Sequence, residues 1–288
     1  MRYSKKLLIL GSTGFLGSSI DESLRGSTFE IEILSPTREE LDLLDSDRVR
    51  SFVNFHKPDI IIHCAAHLPV ELDFKKSREI NNRIDSNIAG ALNNNSNCRL
   101  IYFSGTSVYK SSEVLITEES ALNPSNEYFQ SKLDGEKIFQ NTGINTVILR
   151  VSAPYGAKQR AKTVLQKFIE LALSNAPITL FGDGQRVQNF TYINDVVSAV
   201  YHVLLREDVD GVFNICSDNS VSMRELAEIL VDVTNSKSEI FTSNKIDPDQ
   251  NTVLKFSNQK AKLLLLWSPK FNIRSGLIDL LHEAGHSL

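Results

Sequence analysis

Tyr128 and Lys132 stand four residues apart in the segment YFQSK, a spacing that places both side chains on one face of a helix. A free phenol titrates near pH 10, too high to exchange protons readily at neutrality. An ammonium about 4 Å away, at an effective dielectric of about 20, favours the phenolate by roughly 4 kcal/mol, at most about three pKa units. Such a pair suits general acid–base work near neutral pH. Upstream, Ser104-Gly-Thr-Ser-Val-Tyr109 sets hydroxyls at the end of the strand-like run LIYFS. At the N-terminus, KKLLILGSTGFLG carries an apolar run into Gly11, Gly14 and Gly17. A buried strand that turns on glycines into a helix start is an anion site made of backbone, suited to the pyrophosphate of a dinucleotide. The spacing is G-x-x-G-x-x-G rather than the simpler G-x-G-x-x-G.

The elements that must position these groups alternate along the chain. Strands are expected at 30–35, across IIIHCAA after Pro58-Asp59, at 100–104 and at 146–152. Helices are expected at 46–55 behind the cap Asp45, at 77–95 and at 126–140. The β-branched run IIIHCAA suits a strand buried on both faces of a parallel sheet. This order argues for a doubly wound α/β sheet with ligands at the C-terminal strand ends. After Pro154 the spacing changes: a helix over 160–174, a glycine turn at 181–185, an amphipathic helix over 193–205 and a strand VFNIC at 212–216. Ser222 and Glu225 form a capping box that opens a helix to about Val233. The Asn-rich stretch 93–97 reads as a short loop, and 234–252 as a polar connection to the last lobe.

Composition narrows the function classes. The chain has 288 residues, 41% apolar and 23% charged, with a net charge of −4. That balance argues against a general affinity for nucleic acid, so an anionic ligand must be held by local groups. No stretch approaches the roughly 18 apolar residues of a membrane span, and Lys5-Lys6 precede only a strand-length apolar run rather than a signal peptide. Cys64, Cys98 and Cys216 are odd in number and far apart, and Cys64 and Cys216 read as buried, reduced thiols. A cytoplasmic enzyme is the expectation.

With these motifs in order, the chain resembles the extended short-chain dehydrogenase/reductases of the NAD-dependent epimerase/dehydratase family, the nucleotide-sugar epimerases, dehydratases and ketoreductases. GSTGFLG, HCAAH, FSGTSVY, YFQSK, LRVSAPYG, FGDGQRVQNFTYINDV and GVFNICSDNSVSMRELAEIL carry the resemblance along nearly the whole chain. It implies a mainly parallel Rossmann-type sheet with a smaller α+β C-terminal substrate lobe. The dinucleotide domain would span 1–155, with 188–211 returning to it, and the lobe 156–187 and 212–288. It also implies Tyr128 as general acid–base, with Lys132 lowering its pKa and bonding the nicotinamide ribose. A Ser or Thr at the fourth strand's end would polarise the substrate carbonyl. The implied dinucleotide contacts are Gly11, Thr13, Gly14, Phe15, Leu16, Gly17, Ala65, Ala66 and Asn81, with Asn87 a rival to Asn81. His67 is expected on the substrate side, and a homodimer is implied by resemblance only.

Departures from the family pattern sharpen the choice. Counted back from Val108-Tyr109, the hydroxyl position falls on Gly105; Ser104 and Thr106 flank it, and either can serve. Thr106 and Ser107 stand where dehydratases carry Asp-Glu, which argues against 4,6-dehydration. Ser107 also replaces the Cys of reductases that epimerise C3 and C5. Gln188 replaces an Arg that grips the substrate diphosphate, and Arg186 is the candidate substitute. At the second strand's end, Leu34-Ser35-Pro36-Thr37-Arg38 has no acid before Glu39. Hydroxyls beside an Arg suit a 2′-phosphate, hence NADP rather than NAD, while Asp42-Leu43 would border the adenine. Three classes stay open: an NADP(H)-dependent reductase of a nucleotide-linked 4-keto-6-deoxysugar, an NAD-dependent nucleotide-sugar 4-epimerase, and a non-catalytic dinucleotide sensor.

Overall fold

The apolar run before the first glycine forms strand β1 (Lys5–Leu10), whose last four residues are buried. The computed structural model describes residues 5–69, 73–92, 97–110, 115–247 and 252–286. From β1 the chain passes through α1 (Phe15–Arg25), β2 (Ile31–Leu34), α2 (Ser46–His56), β3 (Ile60–His63), α3 (Phe74–Leu92), β4 (Arg99–Gly105), α4 (Glu127–Gln140) and β5 (Thr146–Val151). Then follow β6 (Pro154–Tyr155), α5 (Val164–Leu173), β7 (Ile178–Phe181), β8 (Val187–Asn189), β9 (Thr191–Tyr192) and α6 (Ile193–Leu205). The last elements are β10 (Gly211–Ile215), β11 (Ser220–Ser222), α7 (Met223–Val233), β12 (Ile240–Ser243) and α8 (Ile273–Glu283).

Side-chain caps set where the helices begin. The Asp45 carboxylate accepts from the Asp47 and Arg48 amides, and Asn126 accepts from Phe129 N to open α4. Each cap satisfies donors that a helix start would otherwise leave unpaired. The Ser222–Glu225 capping box is present at α7.

A six-stranded sheet runs in the order β10-β5-β4-β3-β1-β2. Its pairings from β2 across to β5 are parallel. β3 and β5 are buried at every residue, as continuous apolar strands covered on both faces must be. β1 pairs with β2 on one side and β3 on the other, so the chain winds away from β1 in both directions. The crevice beyond the C-terminal ends of β1 and β3 is therefore the switch point where doubly wound sheets hold ligands. The glycine turn sits there.

The chain divides into two compact units. The first comprises Met1–Lys110, Ala121–Val151 and Val197–Phe213. Its core joins Leu8, Val49, Ile61, Ile88, Leu100, Phe139 and Ile148. Arg99, mostly buried, donates to the carbonyls of Val203, Arg206 and Val209 and so ties the last turn of α6 and the segment after it to β4. The second unit comprises Ser111–Ser120, Ser152–Val196 and Asn214–Leu288. There the buried Asp195 accepts from the Lys270 and Phe271 amides, and Trp267 Nε1 donates to its carbonyl. Among the described residues no helix is long and apolar enough to cross a membrane.

Three local expectations change. The helix expected over 77–95 begins at Phe74 and runs to Leu92; 93–96, most of the expected Asn-rich loop, lie outside the described residues. The helix expected over 160–174 begins only at Val164, because the Thr163 hydroxyl accepts from Gln166 N and fixes the start. The polar connection 234–252 contains β12, which pairs in parallel with β7. Two of its four residues are apolar, too few for local patterning to reveal a strand that a partner about 60 residues away creates.

Candidate active site

Gly11 has φ +83, a left-handed conformation open to glycine, and a Cβ there would lie 2.6 Å from the Ala65 amide nitrogen. A Cβ at Gly17 would lie 2.1 Å from the Gly11 carbonyl oxygen. The turn is thus packed too tightly for side chains, with its backbone against the loop after β3. Gly14 donates to Gly11 O at 3.0 Å and stands at the N-cap of α1. No side chain caps this helix, and its first turn holds no acid. Phe15, Leu16 and Gly17 form that first turn, whose amides are left for an anion.

A cavity of about 360 Å³ opens beside the turn. Gly11, Thr13, Gly14, Arg38, Asp42, Leu43, Ala65, Ala66 and His67 of the expected residues line it, with Leu10, Leu41 and Ile84 as apolar walls. Cys64 lines it too and is only half-buried, against the expectation of a buried thiol. Burial still pushes that thiol upward, opposed by the nearby Lys132 ammonium. Asp42 accepts from Leu44 N and shapes the wall as a tight turn. Asn87 donates to Leu43 O at 2.9 Å. Asn81 binds the backbone of His67, accepting from its N–H at 2.6 Å and donating to its carbonyl at 3.1 Å. Both rival asparagines therefore hold cavity walls.

At the end of β2 the fold adds a residue that the sequence reading missed. Arg25, in the last turn of α1, donates to Ser35 Oγ at 2.7 Å. Arg38 lies three residues beyond Ser35 on the cavity wall, exposed. The Arg25 guanidinium also pairs through Nε with Asp21 at 3.0 Å, so Arg25 holds the strand end while Arg38 faces the cavity, and Ser12 Oγ ties the turn down by donating to Ser35 O. The weak signal in the sequence was a lone Arg at a helix end.

The pair on α4 is half-buried. Lys132 Nζ donates to Phe103 O at 3.1 Å and lies 5.3 Å from the Tyr102 ring centroid. The ammonium is therefore fixed against β4 rather than loose in solvent. Beneath it, Tyr102 donates to Asp85 Oδ2, and Asp85 Oδ1 lies 2.7 Å from His63 Nε2. Burial first, then Asp85, pushes the Tyr102 phenol well up, so it stays a neutral donor. His63 is a packed core residue.

The two candidate hydroxyls differ sharply. Ser104 donates to Glu136 Oε1 at 2.6 Å. The same carboxylate binds Arg150 through Nε at 2.9 Å and Nη2 at 2.6 Å, and that guanidinium stacks 4.7 Å over Tyr109. The Arg150 charge is raised in pKa; burial opposes this, and Glu136 overcomes it. Ser104 belongs to a buried ion-pair network. Thr106, buried at the start of the turn after β4, has no hydroxyl partner among the described residues. Gly105 between them is extended, with φ −142, and a Cβ there would meet nothing closer than Ser107 Oγ at 3.4 Å.

Arg186 and Gln188 lie in the second unit. Arg186 is part-buried beside Asp247, 3.5 Å away, and Met223 Sδ. Gln188 stands on β8 opposite Val221 of β11. Lys158, Arg160 and Lys162 are exposed.

A family model described as the NAD dependent epimerase/dehydratase family matches residues 7–216. The chain belongs to this family. Residues from the glycine turn to β10 fall inside the match, including Tyr128, Lys132 and the cavity wall. Membership bears out the expected family, the Rossmann-type α/β class and, at family level, an enzyme that uses a nicotinamide dinucleotide. Among curated relatives, the chain is 28% identical to an uncharacterized UDP-glucose epimerase, YtcB, of Bacillus subtilis, over 95% of this chain and 96% of that protein. It is 29% identical to a dTDP-D-glucose 4,6-dehydratase of Dictyostelium discoideum, over 81% of this chain and 63% of that protein's length. Among solved structures, RMD from Pseudomonas aeruginosa complexed with NADPH shares the fold with a TM-score of 0.85 at 23% identity, covering 97% of this chain and 98% of that one.

Proposed function

We propose that this chain is an NADP(H)-dependent reductase acting on a nucleotide-linked 4-keto-6-deoxysugar. The observation that carries the cofactor choice is the end of β2, where Arg38 lines the cavity and Leu34 to Arg38 hold no acid before Glu39. A guanidinium suits a phosphate monoester, whereas a carboxylate would suit the free ribose hydroxyls. The glycine turn suits the pyrophosphate, since it leads into the start of α1, whose first turn has no side-chain cap and no acid. The bound dinucleotide supplies the hydride.

This chain's own groups do the rest. Thr106 donates to the substrate carbonyl oxygen, where negative charge grows as the carbonyl is reduced. Tyr128 hands its phenolic proton to that oxygen, giving the alcohol. Lys132, held against Phe103 O, keeps a positive charge one helical turn from the phenolate that remains.

A second reading has its own observation. Asp42 lines the cavity, and a carboxylate there favours the NAD(H) of a 4-epimerase, which would oxidise and re-reduce one carbon with the same residues. Isothermal titration separates the two. The reductase reading expects tighter NADPH than NADH, with Arg38→Ala and Arg25→Ala each narrowing the gap. Equal affinities, or NAD retained through purification, would favour the epimerase. A dinucleotide bound without turnover would leave a sensor.

A further inference from the structure

Ser77 and Asn81, one helical turn apart on α3, hold a single residue, His67, by its backbone and its ring. Asn81 is 4% exposed and uses its amide on both polar backbone atoms of His67. The same Nδ2 also reaches Ser131 Oγ at 3.2 Å, and Ser131 donates to Tyr128 O at 2.7 Å. The mount of His67 is thus tied to the turn that carries the proposed acid–base. The ring is fixed from the other side, with Nδ1 lying 3.2 Å from the fully buried Ser77 Oγ.

That contact determines the tautomer. A hydroxyl has one proton, and Ser77 donates it back along the helix to Asp73 O at 3.1 Å. With its proton on Asp73 O, the Ser77 oxygen accepts from His67, an arrangement that puts the proton of the neutral imidazole on Nδ1 and its lone pair on Nε2. His67 lines the cavity, and Nε2 has no partner among the described residues. A neutral nitrogen lone pair repels phosphate oxygens and accepts from a hydroxyl.

We propose that His67, through Nε2, accepts a hydrogen bond from a sugar hydroxyl of the bound ligand. The hydroxyl belongs either to a ribose of the dinucleotide or to the hexose of the substrate. Asn81 and Ser77 are the positioning residues. The proposal rests on the dinucleotide reading of the cavity.

Long-range ¹⁵N–¹H spectra of the labelled full-length protein, with His67 assigned from His67→Gln, read the tautomer directly. The expected state is Nδ1–H in the wild type, lost or mixed in Ser77→Ala; an Nε2–H ring in the wild type overturns the proposal. Binding then identifies the hydroxyl. His67→Phe removes the acceptor, while His67→Gln keeps an oxygen within similar reach, and thermal melts establish that both fold. A ribose source predicts about tenfold weaker NADPH binding in His67→Phe, the weight of one hydrogen bond, partly restored in His67→Gln. A hexose source predicts unchanged NADPH affinity and about tenfold weaker binding of dTDP-glucose or UDP-glucose to the NADPH complex. Unchanged affinity in both titrations overturns the proposal. Wild-type protein that binds neither NADPH nor NADH strikes the dinucleotide reading itself, and the proposal with it.

Discussion

Ser104 donates its hydroxyl to Glu136 Oε1 at 2.6 Å, in a carboxylate already gripped by Arg150. One of the two candidate hydroxyls at the end of β4 is therefore spent on holding α4 to the sheet. Glu136 follows Lys132 by four residues and Tyr128 by eight, so the network anchors the same helical stripe that carries Tyr128 and Lys132.

Thr106→Val keeps the shape and deletes the donor. It should lower kcat by one to three orders of magnitude, roughly 1.4 to 4 kcal/mol of transition-state stabilisation. Ser104→Ala should leave kcat within a few-fold and instead lower stability by about 1 to 3 kcal/mol, because a buried carboxylate loses a donor. Steady-state kinetics and urea denaturation on both variants check the pair. Reversed outcomes would make Ser104 the carbonyl donor.

Gly105→Ser restores the hydroxyl of the family pattern at a position with room for it, the nearest atom to a new Cβ being 3.4 Å away. The variant should fold with stability close to wild type. In the Thr106→Val background it should recover part of the lost kcat; in the wild type it should change little. A large gain in the wild type would mean that no hydroxyl fills the role in the natural enzyme.

Glu136→Gln removes the carboxylate from a guanidinium whose side chain is 4% exposed. A buried charge deprived of its partner should cost about 3 to 5 kcal/mol of stability, read as a lower urea midpoint. Arg150→Met in the same background should recover much of it. Near-wild-type stability in the single variant would contradict the network.

What the sequence made legible was local. The glycine turn, the Tyr128–Lys132 face and the Ser222–Glu225 capping box follow from spacings of a few residues; the glycine turn lies at the switch point of the sheet, and Lys132 is held against β4. What stayed hidden was non-local. Nothing near Ser104 shows that Glu136, 32 residues on, and Arg150, 46 residues on, will enclose it. Arg25 carries no local signal of its contact with Ser35, ten residues on, which the return of β2 beside α1 creates. Asn81 and Asn87 were singled out by spacing, but their amides reach His67 and Leu43, partners that depend on how α3 crosses the sheet. β12 was missed for the same reason, since its pairing with β7 rather than its composition makes it a strand.

The proposed reaction is net reduction of a 4-keto sugar nucleotide by NADPH with the proton from Tyr128. It is tested most directly by following NADPH absorbance with a dTDP- or UDP-linked 4-keto-6-deoxyhexose, in wild type and Tyr128→Phe. The account predicts stoichiometric NADPH oxidation with one new secondary alcohol. It also predicts a fall of about 10² to 10⁴-fold in kcat for Tyr128→Phe with NADPH binding retained. Interconversion of 4-epimers without net NADPH consumption, or a Phe variant that turns over normally, would contradict it.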